Sequence, residues 1–311
     1  MCTYLIPYFQ QIRLLDATRI SDNAPVMLKL CNLIDYPEEV SILEFLLSGE
    51  RATDPRNHCI PIYEILRIPD SDLTDIGMLF LYDLVSPKFD TVGEAVECFR
   101  QLLEAHQCPA YLMGLLYFSH PLNRDCKCDS FMVESTPLPH PLKPETRRDF
   151  GGPPRALKTR TQNPVKYFSI DYNLLSRYND VGRHLELGGW GGDKTVPEFR
   201  TEELCDPFPV DVYCLGNTIR RYFTKGYEDG MNPGKKGFGF MKDLFQDMCR
   251  DDPKTRPTMN VTVTEVISRV QIIQLGLSEL KLRSRVPAKD EFIVLGLFRS
   301  LNHWVRQIVP I

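Results

Sequence analysis

The residues of this chain that could take part in chemistry begin with the stretch 122–133, LNRDCKCDSFMV. An Arg-Asp pair, a short polar stretch and an apolar run predict a loop that leads into a short strand, and they raise the question of a phosphotransferase's catalytic loop. Asp171 follows another short apolar run, and Lys29 stands near the end of a third. Taken singly, an aspartate after a strand most often belongs to a turn, and a lysine there lies at the surface. Their meaning therefore depends on the elements around them.

Composition sets the class of protein. The chain has 311 residues, enough for one large domain or two modest ones, and 43% hydrophobic with 25% charged residues is ordinary for a globular protein. The net charge of -4 gives no electrostatic case for nucleic acid, which favours a basic face. Ten cysteines include no CxxC pair, so we expect free buried thiols in a reducing compartment and no structural metal. Because the first residues carry no secretory pattern, we expect a cytoplasmic or nuclear protein.

Residues 1–90 are predicted to be mostly strand with one helix. Residues 12–31 form two short β-like runs around the turn SDNAP. Residues 37–48 predict a helix, because a proline and two acidic residues stand at its start and three apolar residues share one face: Ile42, Leu43 and Leu46. Residues 60–66 and 77–85 are two further strand-like runs.

The following part of the chain is predicted to be largely helical. Residues 91–105 carry apolar side chains at helical spacing: Val92, Ala95, Val96, Phe99, Leu102 and Leu103. We expect Pro109 to break or kink this helix. Residues 134–164 are rich in proline and weakly periodic, which favours a surface loop. A strand at 166–171 is followed by helices within 210–223, 239–250 and 262–274.

The C-terminal stretch 291–311 is strongly apolar, but Arg299, His303 and Arg306 interrupt it. A membrane span needs about 20 mostly apolar residues in succession. We therefore expect an amphipathic helix packed on the domain or on a partner, and no membrane span.

Seven stretches between residues 12 and 270 stand in an informative order: DATRISDNAPVMLK, DPRNHC, NRDCKCDSFMV, VKYFSIDYN, TVPE, DPFPVDVYCLGN and DDPKTRP. The ordered set resembles the eukaryotic protein kinase domain family, above all the protein-kinase-domain proteins of mushroom-forming fungi. The resemblance implies an α+β, bilobal, protein-kinase-like fold. It implies a small strand-rich N-lobe over 1–83, a larger helical C-lobe over 84–275 with 134–164 as an insertion loop, and a helical apolar extension over 276–311.

The resemblance also implies roles for the candidate residues. Lys29 takes the position of the strand lysine that reaches the nucleotide phosphates, and Asp125 that of the catalytic aspartate that accepts the proton of the substrate hydroxyl. Asp171 matches the aspartate that holds magnesium, and Ser130 stands where the family has the asparagine of the second metal. The implied cofactors are ATP and Mg²⁺. The implied reaction is phosphoryl transfer to serine or threonine of a protein substrate.

Further charged residues complete the implied architecture. Glu39 is the expected ion-pair partner of Lys29, because the core face of the same helix follows it. The alternatives at this position are Glu38 and Glu44. Glu198 and Arg256 resemble the family's buried ion pair between the activation segment and the C-terminal helices. Asp211 resembles the helix residue whose carboxylate supports the catalytic loop.

Several positions depart from the family pattern. Asn123 replaces the histidine of the catalytic loop, and the magnesium motif has Tyr172 and Asn173 in place of phenylalanine and glycine. No glycine precedes Gly49, so a glycine-rich loop is absent before Lys29, and the first strand is missing, shortened or rebuilt. We therefore expect phosphoryl transfer to be weak or lost. The alternatives are a pseudokinase that acts as a protein-interaction or regulatory module and, less favoured by the TVPE stretch, a small-molecule kinase.

The segment from Arg177 to Thr195 bears on regulation by phosphorylation. Between Arg177 and Lys194 there is no serine or threonine, and the nearby hydroxyls belong to Tyr178 and Thr195. We expect that Ser/Thr phosphorylation of this segment does not switch the protein, and stoichiometric phosphate at Thr195 in peptide mapping would contradict this.

Overall fold

The computed structural model describes residues 14–85, 88–112, 130–134, 159–170, 172, 185–188, 193–201, 203–226, 233–258, 261–266, 268 and 281–308. Within them the fold is mixed α+β, with a small antiparallel sheet followed by several helices. The two largest hydrophobic cores of the described residues lie around this sheet and among the helices. Asp125, Asp171 and the variant positions Asn123 and Asn173 lie outside the described residues.

The main sheet is antiparallel and has four strands in the order β1-β2-β4-β3. The strands are β1 (Leu14–Thr18), β2 (Pro25–Asn32), β3 (Ile62–Arg67) and β4 (Leu73–Leu79). In the turn between β1 and β2, Asn23 takes a φ of 57°, which asparagine tolerates. β2 is an inner strand, and its Lys29 lies opposite Ile76 of β4. The predicted pair of strands around the SDNAP turn is confirmed.

A helix completes the first core. α1 (Glu39–Leu46) begins just after Pro37, as predicted. The predicted apolar face of α1 is buried: Ile42 is 1%, Leu43 3% and Leu46 2% exposed. These side chains share a core with Ile76 of β4. A short helix, α2 (Gly49–Thr53), follows without burying any of its residues.

A second, three-stranded sheet has the order β5-β6-β7. Its strands are β5 (Leu81–Asp83), β6 (Phe131–Glu134) and β7 (Tyr167–Ser169). The run 77–85, predicted as a single strand, is therefore divided. Leu79 pairs with Val26 of β2, whereas Leu81 pairs with Glu134 of β6. An apolar run encodes extended structure, but the neighbouring strand is chosen by long-range pairing.

The long helix α3 (Val92–Leu112) forms the centre of the second core. It begins with a capping box, in which Thr91 Oγ1 accepts the Glu94 N–H at 3.1 Å and the Glu94 carboxylate accepts the Thr91 N–H at 3.3 Å. All the predicted core residues are at most 3% exposed: Val92, Ala95, Val96, Phe99, Leu102 and Leu103. The helix does not break at Pro109, because α3 continues to Leu112, and the alternative expectation of a kink stays a prediction. A proline in a helix costs about 3 kcal/mol, less than these buried side chains supply together.

The C-terminal helices pack closely. α4 (Pro207–Ile219) is capped at its N-terminus by Asp206, whose side chain accepts the Phe208 N–H at 3.1 Å. It passes into a turn of π-helix, Arg220–Lys225, so the predicted helix at 210–223 is confirmed with a change of winding. Two short strands, β8 (Glu186–Leu187) and β9 (Leu204–Cys205), precede it.

The contact between α4 and α5 (Lys242–Met248) depends on a glycine. A Cβ atom at Gly216 would lie 2.6 Å from the Met248 Cβ, which no real side chain tolerates. The predicted helix within 239–250 is confirmed. Residues 261–266, which overlap the start of the predicted helix 262–274, are also helical.

The last described element is α6 (Ile293–Ile308), the predicted amphipathic helix. Among the described residues, no helix is both long and apolar enough to cross a bilayer. Of the two expectations for its apolar side, packing on the domain is wrong, because Phe298 is 70% and Leu301 66% exposed whereas His303 is 6% exposed. Packing on a partner stays a prediction.

Candidate functional site

The most direct contact of the candidate site joins β2 to α1. Lys29 Nζ lies 2.5 Å from Glu39 Oε1, and the two side chains are 16% and 2% exposed. The sequence predicted Glu39 as the partner of Lys29, with Glu38 and Glu44 as alternatives, and Glu39 is the acid that contacts Lys29. Glu38 is the N-cap residue of α1, and Glu44 is exposed. Glu39 is the first residue of α1, and its side chain lies on the buried side of the helix, which faces β2.

A second donor, which the sequence analysis missed, holds the same carboxylate. The Cys31 thiol donates to Glu39 Oε2 at 3.2 Å, and Cys31 is 1% exposed. Lys29 and Cys31 are two residues apart on β2 and therefore project from the same face of the strand. Both oxygens of Glu39 are engaged, so its orientation is fixed and the lysine is positioned with it. The only signal in the sequence was this spacing within a strand-like run.

Residues 57–60 tie the first core to β7. The Ser169 N–H donates to the His58 carbonyl at 2.7 Å, and the Ile60 N–H donates to the Ser169 carbonyl at 3.3 Å. β7 ends two residues before Asp171 in the sequence. The strand that leads to the predicted magnesium ligand is thus bonded to residues 58–60, and Cys59 and Ile60 share the first core with Cys31 of the lysine strand.

The His58 ring reinforces this junction. It is buried, its Nδ1 lies 2.7 Å from the Tyr167 carbonyl oxygen, and its Nε2 lies 3.6 Å from a Glu104 carboxylate oxygen. The nearby His58 ring is the main reason that the pKa of Glu104 lies below its usual value. Burial opposes this lowering, and the nearby Arg100 supports it. His58 belongs to the DPRNHC stretch, but the sequence did not indicate its partners.

Ser130, the predicted second metal ligand, directly precedes β6. Its carbonyl accepts the Ile170 N–H at 3.0 Å, so the chain at Ser130 runs beside the residue that precedes Asp171. Tyr172 is 6% exposed and belongs to the core around α1, which places its ring in the apolar environment that an aromatic residue requires. The predicted roles of Asp125 and Asp171, which the structure does not describe, stay predictions.

The predicted ion pair between Glu198 and Arg256 is present. Arg256 donates Nη1–H to Glu198 Oε1 at 2.6 Å and Nη2–H to Oε2 at 2.7 Å, and its side chain is 0% exposed. The guanidinium also donates to the carbonyl oxygens of Pro209, Arg250 and Asp251. It therefore clamps together the turn at Glu198, the start of α4 and the loop after α5.

A buried polar cluster near Thr195 was not identified from the sequence. Asp193 Oδ1 accepts the Thr195 hydroxyl at 2.6 Å, and Oδ2 accepts the Asn217 amide at 2.5 Å. The Tyr213 hydroxyl donates to the Thr195 carbonyl at 3.0 Å. The Thr195 hydroxyl is thus occupied in holding this loop, and the expectation about its phosphorylation stays a prediction. Asp211, expected to support the catalytic loop, lies within α4.

The ends of the predicted surface loop 134–164 are not free at the surface. Glu134 belongs to β6, and Arg160 is 5% exposed. Arg160 donates to the Tyr167 hydroxyl and to the Leu84 carbonyl, both at 2.9 Å. One anchoring arginine within a polar stretch makes no periodic pattern, so the sequence did not reveal it.

Six cysteines whose side chains the structure describes are buried and form no disulfide: Cys31, Cys59, Cys98, Cys205, Cys214 and Cys249. Burial raises the pKa of the Cys249 thiol to about 11, which leaves it protonated and unreactive at neutral pH. The expectation of buried thiols outside disulfides is confirmed for these six.

No family model matches the chain, and no curated protein matches it. The assignment of a function therefore depends on the residues and their geometry.

Proposed function

We propose that this protein is a protein-kinase-like domain that binds ATP between a small strand-rich lobe and a larger helical lobe. The observation that carries the proposal is the 2.5 Å ion pair between Lys29 and Glu39. Protein kinases use such a pair, a strand lysine and a helix carboxylate, to position the nucleotide phosphates. The order of elements supports the proposal: a hairpin ending in the lysine strand, a helix, two more strands and then a mainly helical part.

The chemistry of ATP and Mg²⁺ fits the residues at this site. Lys29 supplies the positive charge that phosphates require, and Glu39 holds it in place. Asp171 would hold Mg²⁺, with the single hydroxyl of Ser130 as a weaker second ligand, and Asp125 would accept the proton of the substrate hydroxyl. When bound, Mg²⁺ supplies neutralisation of the charge on the phosphates.

The turn before β2 favours slow phosphoryl transfer. Its amides bond within the turn: the Asn23 N–H donates to the Arg19 carbonyl at 2.9 Å, and the Ala24 N–H donates to Asp22 Oδ1 at 3.1 Å. A phosphate-binding loop instead directs its amides toward the ligand. Loss of one group that stabilises charge in the transition state typically costs about 10²–10³ in rate. The proposed activity is therefore ATP binding with weak transfer to serine or threonine of a protein.

The first test is the thermal unfolding midpoint of the purified chain with ATP, with and without Mg²⁺ or Mn²⁺. A ligand at 100 times its Kd adds about 2.7 kcal/mol of stability, which raises the midpoint by several degrees. The variant Lys29→Met removes the positive charge that would meet the phosphates, but it leaves the buried Glu39 carboxylate without its cation. Lys29→Met/Glu39→Gln is therefore the matched control, and each ATP-induced shift is taken against the variant's own midpoint.

A metal-dependent rise that both variants lose supports the proposed site. No rise at millimolar ATP, or a rise that survives in both variants, would refute it. Transfer to a protein substrate is measured next, with Asp125→Asn as the control. Loss of transfer in this variant with retained ATP binding supports a weak kinase.

A second candidate function is that of a pseudokinase, a protein-interaction or regulatory module on the same fold. The internally bonded turn around Asn23 favours it, as does Ser130 at the second metal position. A wild-type chain that binds ATP but transfers no phosphate would support this candidate. A pseudokinase is indifferent to Asp125→Asn and is expected to lose its partner when residues 276–311 are removed.

A further inference from the structure

The helix α6 directs its apolar side to solvent. Six of its side chains are between 58% and 80% exposed: Ile293, Val294, Leu297, Phe298, Leu301 and Val305. At 3.6 residues per turn they cover an arc of roughly 140°. Such an arc is wider than the seam between two paired helices and is typical of a helix that lies against an extended apolar surface.

The opposite side of α6 attaches it to the body of the protein. His303 is 6% exposed, with Nε2 2.8 Å from the Arg283 carbonyl oxygen and Nδ1 3.4 Å from an Asp90 carboxylate oxygen. Arg299 donates to Glu291, in the segment that leads into α6, at 2.8 Å, which fixes the start of the helix rather than joining it to the body. Helices of globular proteins normally pack their apolar side inward and leave the polar side to water. Here the polar side chains make the attachment and the apolar arc is left exposed.

A group of lysines lies beside the segment that leads into α6. Backbone contacts join residues 234–236 to residues 287–289, which brings the lysines of both segments together. The lysines of this group are Lys88, Lys235, Lys236 and Lys289. Burial lowers the pKa of Lys235, and the charge of Lys88 lowers it further, while Asp290 opposes the shift. Repulsion between cations that are held in place is relieved by an anionic partner.

The charge of the C-terminal segment is opposite in sign to that of the whole chain. Residues 281–308 contain six basic and two acidic residues, a net +4, whereas the whole chain carries -4. α6 itself contains Arg299 and Arg306 and no acidic residue. An exposed apolar arc with basic residues beside it is complementary to a surface that is apolar inside and negatively charged outside.

We propose that α6 docks this protein on an anionic phospholipid surface. The helix lies in the plane of the surface, with its apolar arc between headgroups and acyl chains and the neighbouring lysines against the headgroups; it does not cross the bilayer. A second copy of the chain fits less well. Two-fold pairing through α6 would bring the same lysines toward their copies, and one partner helix would not cover the arc.

The test is flotation of the full chain with vesicles of phosphatidylcholine, alone or mixed with phosphatidylserine. We expect binding to the mixed vesicles only, and its loss at high salt. Leu297→Gln/Phe298→Gln is expected to lower the partition coefficient roughly 100-fold. Lys88→Gln/Lys236→Gln/Lys289→Gln is expected to lower it roughly fivefold per lysine.

The matched control is Ile20→Gln, at a 96% exposed apolar residue in the turn between β1 and β2, which is expected to leave binding unchanged. All substituted side chains are exposed, so unchanged thermal midpoints will separate lost binding from unfolding. Absence of binding, or equal binding to both kinds of vesicle, overturns the proposal. A dimer that Leu297→Gln/Phe298→Gln converts to a monomer, without vesicle binding by the wild type, overturns it in favour of a second copy.

Discussion

The buried guanidinium of Arg256 offers a sharp test of how the helical part is held together. Arg256→Lys keeps the positive charge but lacks the planar fork that donates to both oxygens of Glu198. The five hydrogen bonds of Arg256 need more donors than the three of an ammonium group, so at least two partly buried acceptors lose the guanidinium as their donor. Each such loss costs about 1–3 kcal/mol.

We therefore expect Arg256→Lys to lower the free energy of unfolding by about 3 kcal/mol, and the thermal midpoint by roughly 6–12 °C. The assay is thermal unfolding followed by circular dichroism, with urea unfolding as a second measure. The matched control is Arg250→Lys, because Arg250 pairs with Asp247 on the surface, at 51% and 39% exposure. That pair is worth at most about 1 kcal/mol. If the thermal midpoint of Arg256→Lys equals that of the wild type or that of Arg250→Lys, the reasoning about the buried clamp is refuted.

The remaining predictions concern the site and the second core. Glu104→Gln should cost about 1 kcal/mol near neutral pH. The contact with His58 keeps the pKa of Glu104 low in the folded protein. The stability that Glu104 contributes is therefore present above its unfolded pKa and is lost as the pH falls through its folded pKa. The thermal midpoints of the wild type and of Glu104→Gln should converge in acid. Cys31→Val removes a donor from buried Glu39 and should cost about 1 kcal/mol in urea unfolding, with Cys31→Ser losing less; the reverse order would contradict this. Phe99→Ala, at a 0% exposed ring, should cost about 3–5 kcal/mol in the same assay, and a loss below about 1 kcal/mol would argue against the second core.

The positions of most elements followed from local pattern. The spacing of apolar residues in 91–105 predicted a helix and its buried face, and both are present in α3. The turn signal between 12 and 31 predicted the hairpin that carries Lys29. These predictions succeed because helical and extended periodicity is written in residues a few positions apart. The ordered motifs likewise predicted the contact of Glu198 with Arg256 before any geometry was known.

Long-range geometry settled the points that no local pattern contains. Glu39 rather than Glu38 or Glu44 meets Lys29, because the helix starts where only one of these acids faces β2. The run 77–85 divides between two sheets, since strand neighbours come from distant parts of the chain. The residue pattern of α6 predicted an amphipathic helix, yet the side that it packs depends on the surface beneath it. Periodicity specifies that a helix has two faces, and the partners available in the folded chain determine which of them is buried.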